Sequence, residues 1–262
     1  MAVVPLIAIG LGIFFLLVIA MEIGLRWQRL GARGGAKPTK LAPVPDHLFT
    51  AMLGLLALLL GFTFSLALNR YEDRRALVVA EANALGTAFL RAQLLEPVSS
   101  KALESSLYRY AQLRVDWSER AEAGQDDPRM ASLQSQIWSE VGRAIRTDPS
   151  PQLTRGLMDA VNESFDLAAS RAAARGAHIP GAVLEILCLS AVLAALMLGY
   201  SIAASGGASG TRHRPAALLL LLLLALALTM IFDLERSVSG TIQVSQEPLK
   251  ALLSSMRQAL TA

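Results

Sequence analysis

Residues 48–75 read LFTAMLGLLALLLGFTFSLALNRYEDRR, an uncharged run from Leu48 to Leu68 followed at once by a dense charge cluster. A helix needs roughly 20 apolar residues to cross the hydrocarbon core of a bilayer, so the run is a membrane span with a polar exit. Within it Gly54, Leu58, Gly61, Ser65 and Asn69 fall at i, i+4, i+7, i+11 and i+15, which sets them on one helical face. Phe62 and Leu66 border that face. A strip of small residues serves either close packing on another helix or the lining of a narrow pore, with Leu58, Phe62 and Leu66 as an apolar constriction. At the exit, Arg70, Arg74 and Arg75 would raise the local anion concentration if several copies of the helix surrounded an axis. The same run, with Glu72 and Asp73 beside the arginines, also reads as a solvated and locally paired face.

Three further apolar runs are spans: about Val3 to Leu25, Ala182 to Ala204, and the shorter Ala216 to Phe232, which is almost entirely Leu and Ala. They explain why the 262-residue chain is 53% hydrophobic and only 17% charged, a balance that excludes a soluble cytoplasmic enzyme. The first run begins without Lys or Arg and passes directly into Glu22, Arg26 and Trp27, so it reads as a retained helix and not as a cleaved signal. The single cysteine, Cys188, lies within a span, and no internal disulfide can form.

Between the second and third spans, residues 69–181 carry 14 Lys/Arg against 15 Asp/Glu, a near-neutral balance that argues against a nucleic-acid surface. This insertion reads as helical throughout. A first helix continues the second span to about Leu95 and stops at Glu96-Pro97; Ser99 or Ser100 caps the next, whose face holds Leu103, Leu107, Tyr110, Arg114 and Trp117 and which ends near Gly124. Asp127-Pro128 and Ser150-Pro151 open two more, ending near Arg146 and Gly176. After the fourth span come a short extended piece, Thr241 to Val244, and a last helix with Leu249, Leu252, Leu253, Met256 and Leu260 on one face. That face must pack on the insertion, on a neighbouring subunit or on the bilayer.

Basic residues near the span ends number seven on each side, a tie, while the uncharged N-terminus and the strongly basic first loop lean towards the insertion being outside. Catalytic and metal-binding patterns are missing. His47, His178 and His213 are far apart in sequence and each lies near a membrane boundary, and the run Gly31 to Lys37 has Pro38 where a phosphate loop needs Ser or Thr. Glu22, Glu185, Asp233 and Glu235 lie close to span ends, where headgroup water is expected to hydrate them. No enzyme, metal or cofactor is expected.

The run Leu60 to Ala67, then Arg70-Tyr71, Arg74-Arg75, Glu81-Ala-Asn-Ala84, Gly86-Thr87 and Leu90-Arg91 resembles a family of bacterial four-span proteins called bestrophin-like. The likeness extends to Tyr108 or Tyr110 and to Asp233–Ser245, and covers the chain from about Asp46 onward. Members often have Pro after the Arg that follows the last span; here Ser237 follows Arg236. A looser similarity to the bestrophin anion channels implies that the second span lines a pore with Leu58, Phe62 and Leu66 at its neck, that five copies surround it, and that the insertion and both termini are cytoplasmic. The chain lacks an acidic calcium clasp, so calcium gating is not implied.

The expectation is therefore an all-α integral membrane protein with a first transmembrane hairpin (1–68), a helical polar domain (69–181), a second hairpin (182–233) and a C-terminal segment (234–262). Its expected role is that of a homo-oligomeric anion channel of the cell inner membrane, with lipid, its own copies and inorganic anions as partners. The alternative is a membrane sensor or scaffold whose helical domain binds a ligand or partner.

Overall fold

The computed structural model describes residues 5–33, 46–119, 128–147, 150–204, 213–236 and 240–261, and every regular element in them is helical. In chain order these are α1 (Leu6–Arg33), α2 (Asp46–Ala92), α3 (Pro97–Glu119), α4 (Pro128–Thr147), α5 (Pro151–Gly176), α6 (Gly181–Ala204), α7 (Arg214–Glu235) and α8 (Glu247–Thr261). Four helices are long and apolar enough to cross a membrane. The shortest of these, α7, has 22 residues and so reaches about 33 Å, enough for the hydrocarbon core. The basic loop residues Lys37, Lys40 and Arg212, and the boundary residues Gly124 and Asp127, lie outside the described residues.

Contacts divide the chain into two compact units, one made of residues 1–69, 179–236 and 240–242, the other of 70–178, 237–239 and 243–262. In the first unit α1 packs chiefly on α6 and also on α7. The contact is built from small residues and leucines: Leu17, Ala20, Met21 and Leu25 of α1, Ala191, Ala194 and Ala195 of α6, and Leu221, Ala225 and Leu228 of α7 are all buried. Small side chains let helix backbones approach where no water drives association. Outward, Phe15, Ile19, Ile186, Leu189, Leu223 and Leu226 are exposed, the inverse of a soluble surface and suited to lipid.

The second unit is a helical bundle around a closed apolar core. Leu85, Ala88 and Phe89 of α2, Leu103, Leu107 and Tyr110 of α3, Ile137 and Val141 of α4, Leu157 and Val161 of α5, and Met256 of α8 make up that core. Helix starts follow proline, whose missing N–H costs nothing in a first turn: Pro97, Pro128 and Pro151 each open a helix. Ser99 and Ser100 are consequently not caps. They lie inside the first turn that Pro97 begins, and the Ser100 N–H reaches the Glu96 carbonyl at 2.9 Å. The last helix resolves its three options in favour of the insertion, because Leu249 and Met256 are buried and Leu252 and Leu253 pack against the same core, while Leu260 stays exposed.

Tyr110 shows how the second unit responds to pH. Its ring stands edge-on to Phe165 at 5.4 Å and its hydroxyl accepts a 3.0 Å hydrogen bond from Gln134 Nε2. Burial, the largest cause, pushes its pKa from 10.0 up to about 12. Between those values the unfolded chain releases the phenolic proton and the native chain retains it, so stability from this group is complete below pH 10 and falls as pH rises towards 12. The loss approaches about 2.7 kcal/mol over two pH units. Tyr110→Phe is expected to flatten that alkaline slope while costing about 1 kcal/mol at pH 7, as read from denaturation midpoints across pH.

Candidate functional site

The α2 segment of the first unit has two unlike faces. Leu56, Thr63 and Ala67 are buried, at 5%, 4% and 0% exposure, and Leu53, Leu56, Ala57 and Leu60 border α6 and α7 across an apolar cavity of about 370 Å³. Thr63 returns its hydroxyl to the Leu59 carbonyl at 2.8 Å, which satisfies it within the helix. Every residue of the strip read from the sequence is exposed: Gly54, Leu58, Gly61, Phe62, Ser65, Leu66 and Asn69. Leu58 is 53% and Phe62 67% exposed. A Cβ added at Gly54 or Gly61 would meet no atom within 4 Å. The strip does not pack on α1 or α6.

The arginines beyond the strip do not share a face. Arg75 is exposed and lies 3.5 Å from Glu72, Arg70 is half-buried, and Arg74 is buried at 6% exposure and lines a cavity of the second unit. Arg74 differs from Arg75 because adjacent positions are 100° apart around a helix and this one turns inward. Among the described residues no group of three or more His, Cys, Asp or Glu side chains is placed to hold a metal ion.

A sequence model of the bestrophin-like domain matches residues 44–249. The chain belongs to the bestrophin-like family. The fold of this bestrophin-like chain is similar to crystal structures of single-substitution variants of a bacterial bestrophin homolog from Klebsiella pneumoniae. One aligns with a TM-score of 0.73 at 15% identity over 99% of this chain and 97% of the other. Another aligns at 0.70 and 14% over 95% and 96%. No curated protein matches.

In the bestrophin-like chain the segment after α7 is fastened by a carboxylate that sequence reading assigned to water. Asp233 is 1% exposed. It accepts the Thr241 N–H at 2.8 Å, the Ile242 N–H at 3.1 Å and the Thr241 hydroxyl. Glu235 likewise accepts the Ile179 N–H at 2.6 Å. Hydration by headgroup water is thus replaced by protein donors at both positions, whereas Glu22 stays half-exposed, 3.7 Å from Arg214. Gly240 is required beside Asp233, because a Cβ there would lie 2.6 Å from the Asp233 Oδ1 atom. Asp233→Ala removes three charge-assisted bonds and is expected to cost roughly 2 kcal/mol, with faster hydrogen exchange at Thr241 and Ile242 as the local readout.

Sequence reading missed the polar centre of the second unit. Glu81 is fully buried and accepts from both Arg114 Nε and Arg171 Nη1. Arg114, Arg171 and Arg175 surround the Trp117 ring at 4.5, 5.5 and 4.4 Å. The only available signal was the i, i+4 spacing of Arg171 and Arg175 and the shared face of Arg114 and Trp117.

Proposed function

We propose that the bestrophin-like chain is a homo-oligomeric anion channel of the bacterial inner membrane, with α2 lining the pore. What supports this is the open strip of α2. A Cβ at Gly54 or Gly61 would meet nothing within 4 Å among the described residues, although the opposite face of the same helix is buried. Small, exposed, serine- and asparagine-bearing positions beside Leu58, Phe62 and Leu66 are the composition of a water path with an apolar neck. Copies arranged about an axis, five by family likeness, would bring these strips together, and Arg75 beyond them would favour anions. The lipid-suited exterior of the first unit supports several crossings of the bilayer. The test is anion flux from liposomes holding the purified chain, together with its mass in detergent. A monomer with no flux would leave the sensor or scaffold reading.

A further inference from the structure

Within the second unit lies a solvent-reaching cavity of about 380 Å³ whose walls come from four helices and the segment entering α8. Arg74 of α2, Arg171 and Arg175 of α5 and Lys250 of α8 line it, and Glu119 is the single carboxylate among its described lining residues. The three arginines are buried, at 6%, 5% and 7% exposure. We propose that this cavity binds a phosphate group, at a site separate from the α2 strip and independent of whether the chain conducts.

Four observations carry the assignment. First, cations outnumber carboxylates in a recess with low-dielectric walls, which focuses a positive potential into the space between them. Burial and the nearby guanidinium groups hold Arg171 and Arg175 below the usual arginine range, a penalty that a bound dianion would relieve. Second, donors remain. Among the described residues Arg171 gives one N–H to Glu81 and one to Gln246, leaving three of the five N–H groups of a guanidinium. Lys250 gives one of its three to Glu119, at 2.7 Å. Third, the forks are held in place before any ligand arrives. Arg175 donates to the Trp117 and Ser118 carbonyls at 3.1 Å each, and its guanidinium, like that of Arg114, lies against the Trp117 indole. Rigid planar donors converging from two helices match the tetrahedral oxygens of phosphate, and the cavity volume exceeds what a halide would fill. Fourth, the segment Gln243–Gln246 leads into the N-terminus of the 15-residue α8 at the cavity wall, where helix N–H groups add positive potential.

The source of the phosphate is a lipid headgroup or a solute. Arg74 lies five residues beyond Asn69 on α2, about 7.5 Å along the helix axis, within headgroup reach of the end of the apolar run. The purified full chain in detergent is titrated at constant ionic strength with inorganic phosphate, with short-chain phosphatidic acid and with chloride as the reference, and thermal midpoint and heat of binding are followed. Saturable stabilisation by phosphate or by phosphatidic acid, and not by chloride, is expected. Lys250→Glu should weaken it about tenfold and Lys250→Gln about threefold, consistent with a charge at close range. Both substitutions leave the Glu81 network intact, and Lys250→Gln at this exposed position keeps the test valid if the charge reversal harms folding. Binding of inorganic phosphate indicates a solute site, and binding of phosphatidic acid alone indicates a lipid site. Binding of neither, or binding unchanged in both Lys250 variants, overturns the proposal.

Discussion

In chloride-loaded liposomes carrying the purified chain, Phe62→Ala is expected to raise the initial efflux rate by about tenfold over the unsubstituted protein, because apolar constrictions gate by dewetting. Phe62 is the largest side chain of the strip and among the most exposed residues of α2, at 67%. If copies of α2 surround a pore, water crossing their phenyl groups loses hydrogen bonds without compensation, and alanine would widen the neck and lower that barrier. Leu58→Ala and Leu66→Ala, one turn away on either side, should give smaller increases of about threefold. Leu56→Ala is the control from the opposite face. It removes a buried side chain, so it lowers stability by roughly 2–4 kcal/mol while leaving the neck composition unchanged. Equal flux from all three strip variants and the parent would remove α2 from the pore, and absence of flux in every case would remove the channel reading.

Much of the fold was legible in the sequence because membrane spans are written as long uncharged runs and helix starts as prolines. The runs from Leu48 and Ala182 and the starts at Pro128 and Pro151 need no tertiary information. The open face of α2 was legible as a period, though not what lay against it: a strip of small residues has the same spacing whether it packs or stays open. Long-range charge pairing was not legible. Glu81 meets partners 33 and 90 residues away, and nothing local separates it from Glu72, which stays exposed beside Arg75. Arg74 and Arg75 are neighbours in sequence with opposite fates, decided by helix phase that charge counting ignores. The amphipathic face of α8 was similarly plain, yet periodicity names a buried face without naming what buries it.

The glycines separate the architectural requirement from the functional one. At the crossing of α1 and α6, a Cβ built on Gly24 would collide with the Leu196 carbonyl and lie 3.0 Å from the Tyr200 nitrogen, and one built on Gly199 would collide with the Met21 carbonyl. The two positions are reciprocal, each receiving the carbonyl of a residue a turn or less from the other, so the backbones meet with no room for any side chain. Gly24→Ala and Gly199→Ala are each expected to cost roughly 3 kcal/mol, because the obstructing atom is backbone and only separation of the helices relieves the overlap. The combined variant should fall short of the sum, since one displacement admits both methyl groups. Thermal unfolding in detergent, followed by the near-ultraviolet signal, is the measurement. Gly54→Ala and Gly61→Ala add the same methyl group where it meets nothing, so protomer stability should change by less than about 0.5 kcal/mol. If α2 lines a pore, those same two substitutions narrow it and lower anion flux while the melting curve stays in place. A melting curve that fell equally at all four positions would mean that the α2 strip packs against protein after all, in another copy of the chain, and the water path would have to be sought elsewhere.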